Sequence, residues 1–409
     1  MRMKTICGVL LVAGATFTAC QEQGYTIKGT LTGDAEGKTV YLCRGMNIFA
    51  LEGIDSTVVT NGQFEFTGTL AEPELLTVKI FPDSTRSMQG EHGIAMRPII
   101  PLIVENGAYE INACLDSIPL DFYTYGGYYD YTKVGVKGPQ MQTAYMDYQM
   151  NLNKARSEKN EQSSQFYRRS RTDEGCTADD CIAFVKQQDS LQNIIVGKAA
   201  DAIRQNAGSV VGLYMLSERM SAFDAATLGE LTQLFPENVK NTVLGREVLA
   251  KADTVKACAI GSPYIDLALQ DVEGNPVKLS ECIEPGKYTL VEFWASWCGP
   301  CRGEIPHLKK VYELYHADGF NIVSISMDAK KADWTKAIEN EGMEWTQLSD
   351  LKAFEGPIHR LYNFDGIPYC VLVNPEGVIV HHNARGPELD NILIANYGNK
   401  FPADYRLYK

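Results

Sequence analysis

Three hydrophobic patterns follow one another along the chain. Over residues 25–113 apolar and polar positions alternate in short runs broken by turn residues. Residues 25–31, 39–43, 56–60, 63–67, 75–81, 99–104 and 109–113 each have strand length, and Asn61-Gly62 between two of them marks a tight hairpin turn. This pattern predicts an antiparallel β-sandwich. Over residues 140–256 the period becomes helical. Residues 141–152, 182–203, 210–220, 228–234 and 243–255 carry apolar stripes opposite polar faces, with Ser209 and Asp224 as helix caps. Residues 154–173 are strongly polar and read as solvated. From residue 258 strands and helices alternate, as in an α/β domain: strands at 288–295, 320–326, 369–373 and 378–381, and helices at 302–316, 331–340 and 389–397. The 409-residue chain is too long for one core. The boundaries read as 20–138 for the sandwich, 139–257 for the helical region and 258–409 for the α/β domain, with 257–262 as linker.

The chemistry gathers where the strand at 288–295 turns into the next helix. There the chain reads Trp297-Cys298-Gly299-Pro300-Cys301, followed by apolar residues at helical spacing, namely Ile305, Leu308, Val311, Leu314 and Tyr315. A Cys-x-x-Cys at a strand-to-helix turn reads as a dithiol/disulfide redox site. Free N–H groups at the helix start and the helix dipole favour a thiolate at Cys298, the attacking nucleophile. Cys301, one turn on, resolves the mixed disulfide. A zinc site would need two further ligands at matching spacing, and no second Cys-x-x-Cys or His pair supplies them. His307, His359, His381 and His382 are scattered and read as packed or solvated. Dithiol exchange needs no cofactor, and none is predicted.

The segment from Glu292 to Cys301 resembles the active-site segment of the thioredoxin superfamily. The stretch from Cys298 through Glu304 to Pro306 is similar to the TlpA/ResA-like envelope thiol-disulfide oxidoreductases, and the resemblance covers residues 261–385. It implies a C-terminal thioredoxin fold with a substrate-docking surface at Trp297, Gly299, Pro300, Ile367 and Pro368, the proline preceded by a cis bond. It also implies acids at Glu292 and Glu304, buried with a raised pKa and exchanging protons with the resolving thiol. Members carry a proline where Pro306 stands, which would kink the helix. The Gly-Pro pair between the cysteines is that of thioredoxin, whose potential is about −270 mV, and points to a reductant. Reduction of apocytochrome c is one activity the family implies, and a β domain preceding the redox domain is a feature of such lipoproteins.

Residues 1–20 read as a targeting segment, with Arg2 and Lys4 ahead of an apolar stretch at 6–17. Phe17-Thr18-Ala19-Cys20 resembles a lipobox, so 1–19 is expected to be a lipoprotein signal peptide and Cys20 to carry acyl chains. The expected setting is therefore the cell envelope, lipid-anchored and facing the periplasm. Partners would be protein disulfides or thiols and a membrane electron donor. A net charge of −13 argues against nucleic acid.

Of eleven cysteines, Cys43, Cys114, Cys176, Cys181, Cys258, Cys282 and Cys370 remain after the signal, lipid and redox positions, an odd number. Cys176 and Cys181 are the best local candidates for a bridge. The tyrosine-rich run at 121–131 reads as a hairpin packed on the sandwich. Two other functions stay open. A thioredoxin-fold peroxidase would need Pro and Thr where Val291 and Ala295 stand. A non-enzymatic binding module would have no need of both cysteines.

Overall fold

The computed structural model describes residues 24–45, 53–81, 88–89, 95–120, 129–172 and 174–408. The expected signal segment, Cys20 and most of the tyrosine-rich run lie outside these residues.

The N-terminal part is two four-stranded sheets. The first holds β1 (Tyr25–Thr32), β4 (Gln63–Gly68), β7 (Ala108–Cys114) and β8 (Val134–Lys137). The second holds β2 (Thr39–Arg44), β3 (Gly53–Val58), β5 (Glu74–Phe81) and β6 (Ile99–Val104). Strand alternation does the sorting: Ile27 and Leu31 on β1 point inward, with polar residues between them. Asn61 and Gly62 both take positive φ, 52° and 71°, which the tight turn before β4 requires. One pairing departs from the antiparallel expectation. β7 runs parallel to β1, with Thr26 opposite Ala108. The chain reaches that edge only after crossing to the second sheet through β5 and β6, so it returns in the direction of β1.

The middle region contains α1 (Gln140–Ser170), α2 (Ala178–Asn206), α3 (Val210–Arg219), α4 (Ala225–Gln233) and α5 (Val243–Ala257). Ser209 and Asp224 accept N–H bonds at the starts of α3 and α4, as expected of caps. The polar stretch from 154 continues α1 as helix to Ser170, with many of its side chains in solvent. It is held by pairing with antiparallel α2, Lys159 to Gln192 at 2.6 Å and Ser163 to Gln188 at 3.0 Å, and it buries Ala155, Arg156 and Phe166. These helices share one apolar core with the sandwich, in which Tyr145, Leu152 and Ile195 meet Val40, Leu76 and Ile100.

A second core fills the C-terminal domain. Its seven-stranded sheet has the order β10-β9-β13-β12-β11-β14-β15. Here β9 is Ala268–Gln270, β10 Pro276–Lys278, β11 Tyr288–Trp294, β12 Phe320–Ser326, β13 Thr346–Ser349, β14 Tyr369–Val373 and β15 Ile379–His382. The helices are α6 (Gly299–Tyr315), α7 (Lys331–Glu341) and α8 (Pro387–Tyr397). β11 is central and buried, parallel to β12 and antiparallel to β14, which is why it reads as a continuous apolar run. α6 continues through Pro306.

After α8 the chain turns back across the helical region. Phe401, Tyr405 and Leu407 are buried, and the Leu407 N–H donates to the Cys176 carbonyl at 2.9 Å. Leu407 completes a small core with Phe166, Cys176, Cys181 and Phe184. The seven remaining cysteines are free thiols, including Cys176 and Cys181. Thr177 between that pair caps α2 through a reciprocal pair of bonds with Asp180, and the two thiols flank this helix start without bonding to each other.

Candidate active site

The site is built at the carboxyl end of β11. Cys298 is the cap residue of α6, and its sulfur accepts the Cys301 N–H at 3.2 Å. Pro300 lies in the first turn, where a missing N–H leaves no bond unmade. Cys298 and Cys301 are joined as a disulfide. Cys301 is fully buried, Cys298 is 4% exposed and Trp297 beside it is 61% exposed. A side chain at Gly299 would meet nothing within 4 Å, so the surface over the first turn of α6 is open there. Ser296 ties the loop down: its N–H and hydroxyl both reach Asp328, at 2.9 and 2.6 Å. Ile367–Pro368 is a cis peptide bond. Tyr369 pairs with Phe293, which sets Pro368 beside the strand end from which the cysteine loop departs.

The two predicted acids are both buried but differ in state. Glu292 has one strong partner, the Ser324 hydroxyl at 2.5 Å. Burial dominates there and pushes its carboxyl up to about 7. It sits opposite Cys370 across the β11–β14 ladder, and burial raises that thiol as well. Glu304 departs from the expectation of a protonated acid. Burial opposes its charge, but the hydrogen bond and charge of His307 and the Gly386 N–H outweigh it, so the carboxyl lies below its usual range. Its Oε1 is 2.9 Å from His307 Nδ1 and accepts the Gly386 N–H at 3.0 Å.

Sequence reasoning missed three members of this setting. His307, read as an ordinary packed or solvated residue, lies between Glu304 and Asp390. Asp390 and Gly386 come from the start of α8, far along the chain, and no local motif marks them. The one available signal was spacing: His307 lies three residues after Glu304, on the same helix face. His381 and His382 stand apart, the first bonded to the His382 carbonyl at 2.8 Å and the second to Tyr369 at 2.6 Å.

A bonded Cys-Gly-Pro-Cys pair at a helix start after the central strand of a mixed sheet defines a thioredoxin-fold thiol-disulfide oxidoreductase. The AhpC/TSA family profile matches residues 260–382, and a domain of unknown function, DUF4369, matches residues 25–145. The chain is 28% identical over 137 residues to the thiol-disulfide oxidoreductase ResA of Geobacillus thermodenitrificans, covering 33% of this chain and 76% of that protein. It is 27% identical over 120 residues to ResA of Bacillus subtilis, covering 29% and 64%. Among solved structures, the thioredoxin domain of a thiol-disulfide oxidoreductase from Bacteroides vulgatus is 36% identical, covering 34% of this chain and 99% of that one, with a TM-score of 0.32. A thiol:disulfide interchange protein from Bacteroides sp. is 34% identical, covering 36% and 97%, with a TM-score of 0.32. The C-terminal domain is thus thioredoxin-like and similar to the TlpA/ResA-like thiol-disulfide oxidoreductases.

Proposed function

We propose that the protein is a lipid-anchored reductant of protein disulfides in the cell envelope. The observation that carries this reading is the disulfide between Cys298, 4% exposed beside solvent-facing Trp297, and fully buried Cys301 at the start of α6. In the reduced protein, the Cys298 thiolate attacks a client disulfide sulfur. A mixed disulfide forms and one client thiolate leaves. Cys301 then gives up its proton and attacks the Cys298 sulfur. The Cys298–Cys301 bond forms, the second client thiolate leaves, and two electrons have passed to the client, whose thiols take up the protons. Glu292, with its carboxyl raised to about 7, is the group assigned to accept the Cys301 proton. Glu304 is assigned an electrostatic role beside the pair, and Trp297, Gly299, Pro300, Ile367 and Pro368 dock the client backbone. A membrane donor returns the electrons, Cys20 carries the lipid, and the site faces the periplasm. Apocytochrome c is the first client class to test.

The test is the reduction potential of the couple in protein lacking the lipid, with C298S as control. A value near −270 mV supports a reductant, while one near −120 mV, as in the oxidant DsbA, reverses the direction. Fatty-acid labelling that survives in C20S removes the anchor. The match to the AhpC/TSA family favours one second reading, peroxide reduction. Val291 and Ala295 stand where that chemistry needs Pro and Thr, and a peroxide-consumption assay separates the two.

A further inference from the structure

His307 sits on α6 one turn after Glu304 and is fully buried. Its two ring nitrogens face two carboxylates, with Nδ1 2.9 Å from Glu304 Oε1 and Nε2 2.8 Å from Asp390 Oδ1. A neutral imidazole carries one N–H, so one of these contacts would set a lone pair against a carboxylate oxygen. The surroundings decide which group holds the proton. Glu304 already accepts the Gly386 N–H, and Asp390 accepts the Tyr405 hydroxyl at 2.7 Å through its other oxygen. Both carboxylates are thus supplied with donors, as ionised groups require. The two nitrogens point in opposite directions, so the carboxylates cannot share a metal ion with the ring. The packed elements add groups to this setting: Cys181 from α2, Tyr167 from α1, Glu292 from β11, Arg385 before α8, Glu388 within it, and Tyr405 and Tyr408 after it.

We propose that His307 is a positioning residue for the disulfide exchange, an imidazolium that holds Glu304 as a fixed carboxylate one helical turn from Cys301. The inference rests on the redox reading of the Cys298–Cys301 pair. A constant negative charge there opposes ionisation of Cys301 and leaves the thiolate to Cys298. It also removes Glu304 from proton exchange and leaves that task to Glu292. Burial alone would lower the His307 pKa, but the charge and hydrogen bond of Asp390, and then those of Glu304, push it up to about 10. The clamp is anchored outside α6. Gly386 takes a φ of 51° at the start of α8, and a Cβ there would come within 2.4 Å of the Tyr408 hydroxyl oxygen.

The experiment uses the full chain and two readouts. In histidine-labelled protein, the ring nitrogens of one residue, assigned by its loss in H307Q or its shift in D390N, should stay doubly protonated from pH 5 to pH 9. A neutral tautomer at pH 7 overturns the proposal. The second readout is the equilibrium of the Cys298–Cys301 couple with glutathione against pH. In H307Q, Glu304 loses its countercharge and takes up a proton in the neutral range. The curve should gain an inflection, and the oxidised form at pH 7 should lose about tenfold in the equilibrium. A fall in melting temperature with an unchanged redox curve means a structural role only and overturns the proposal. Should H307Q fail to fold, D390N, which leaves both Glu304 and the imidazole in place, decides by the same two measurements. If the wild-type couple does not titrate, the redox reading fails, while the nitrogen shifts still decide the state of His307.

Discussion

Two glutamates, one in each half of the molecule, share a raised pKa and differ in use. Glu218 on α3, in the β-helical half, accepts hydrogen bonds from Tyr145 and, at 2.9 Å, Gln149. Glu292 on β11, in the redox half, accepts one from Ser324. Burial pushes each carboxyl up to about 7. Around Glu218 stand tyrosines, a glutamine and the side chains of Arg156 and Arg219, a network with no nucleophile. Glu292 shares its strand with the cysteine loop. A perturbed acid therefore marks function only where a reactive group lies beside it. In the β-helical half the same perturbation is the cost of tying α1 and α3 together.

The comparison can be broken most directly at the nucleophile. C298S should reduce disulfide turnover by about a thousandfold or more, and C301S should accumulate a mixed disulfide visible as a mass adduct. Neither change should alter the unfolding of the β-helical half. The glutamates are the next test. E292Q should flatten the pH dependence of turnover between pH 5 and pH 8, with a rate loss of about tenfold at the upper end. E218Q should leave that profile intact and destabilise the fold by about 1–3 kcal/mol in denaturant titration, because it disturbs buried hydrogen bonds. Stability against pH sharpens the point. The folded-state pKa of Glu292 is raised above its unfolded value, so its contribution is full below about pH 4.5 and is lost as pH rises through about 7. E292Q should remove that loss, roughly 3 kcal/mol.

L407A probes the seam between the halves. It empties a fully buried position in the core shared by the chain end, α1 and α2 and should cost about 3 kcal/mol. W297A should have the smallest effect. Its ring is largely in solvent, so the expected change is a KM rise of about threefold with kcat nearly constant.

The legible parts of the sequence were those set by local periodicity or by a short contiguous motif. Alternation placed β1 and β2, the helical stripes placed α2 to α5, and Cys298 to Cys301 placed the site. What escaped was decided by partners distant in the chain. The polar half of α1 is a helix because α2 lies against it, which its own composition does not announce. β8 and β13 are four-residue edge or near-edge strands with too few positions to show a period. Resemblance supplied Glu304 and Glu292, but not the sign of Glu304's shift. That sign depends on His307, Gly386 and Arg385, and two of these reach the site only after the sheet has closed.

All four tryptophans of the chain, Trp294, Trp297, Trp334 and Trp345, fall in the redox half. Three are buried and Trp297 lies in solvent next to the cysteine pair. The molecule therefore carries an unlabelled optical probe confined to one half. Indole emission reports that half alone. Twelve of the 21 tyrosines lie before residue 258 and nine after it, so tyrosine signals report both halves together.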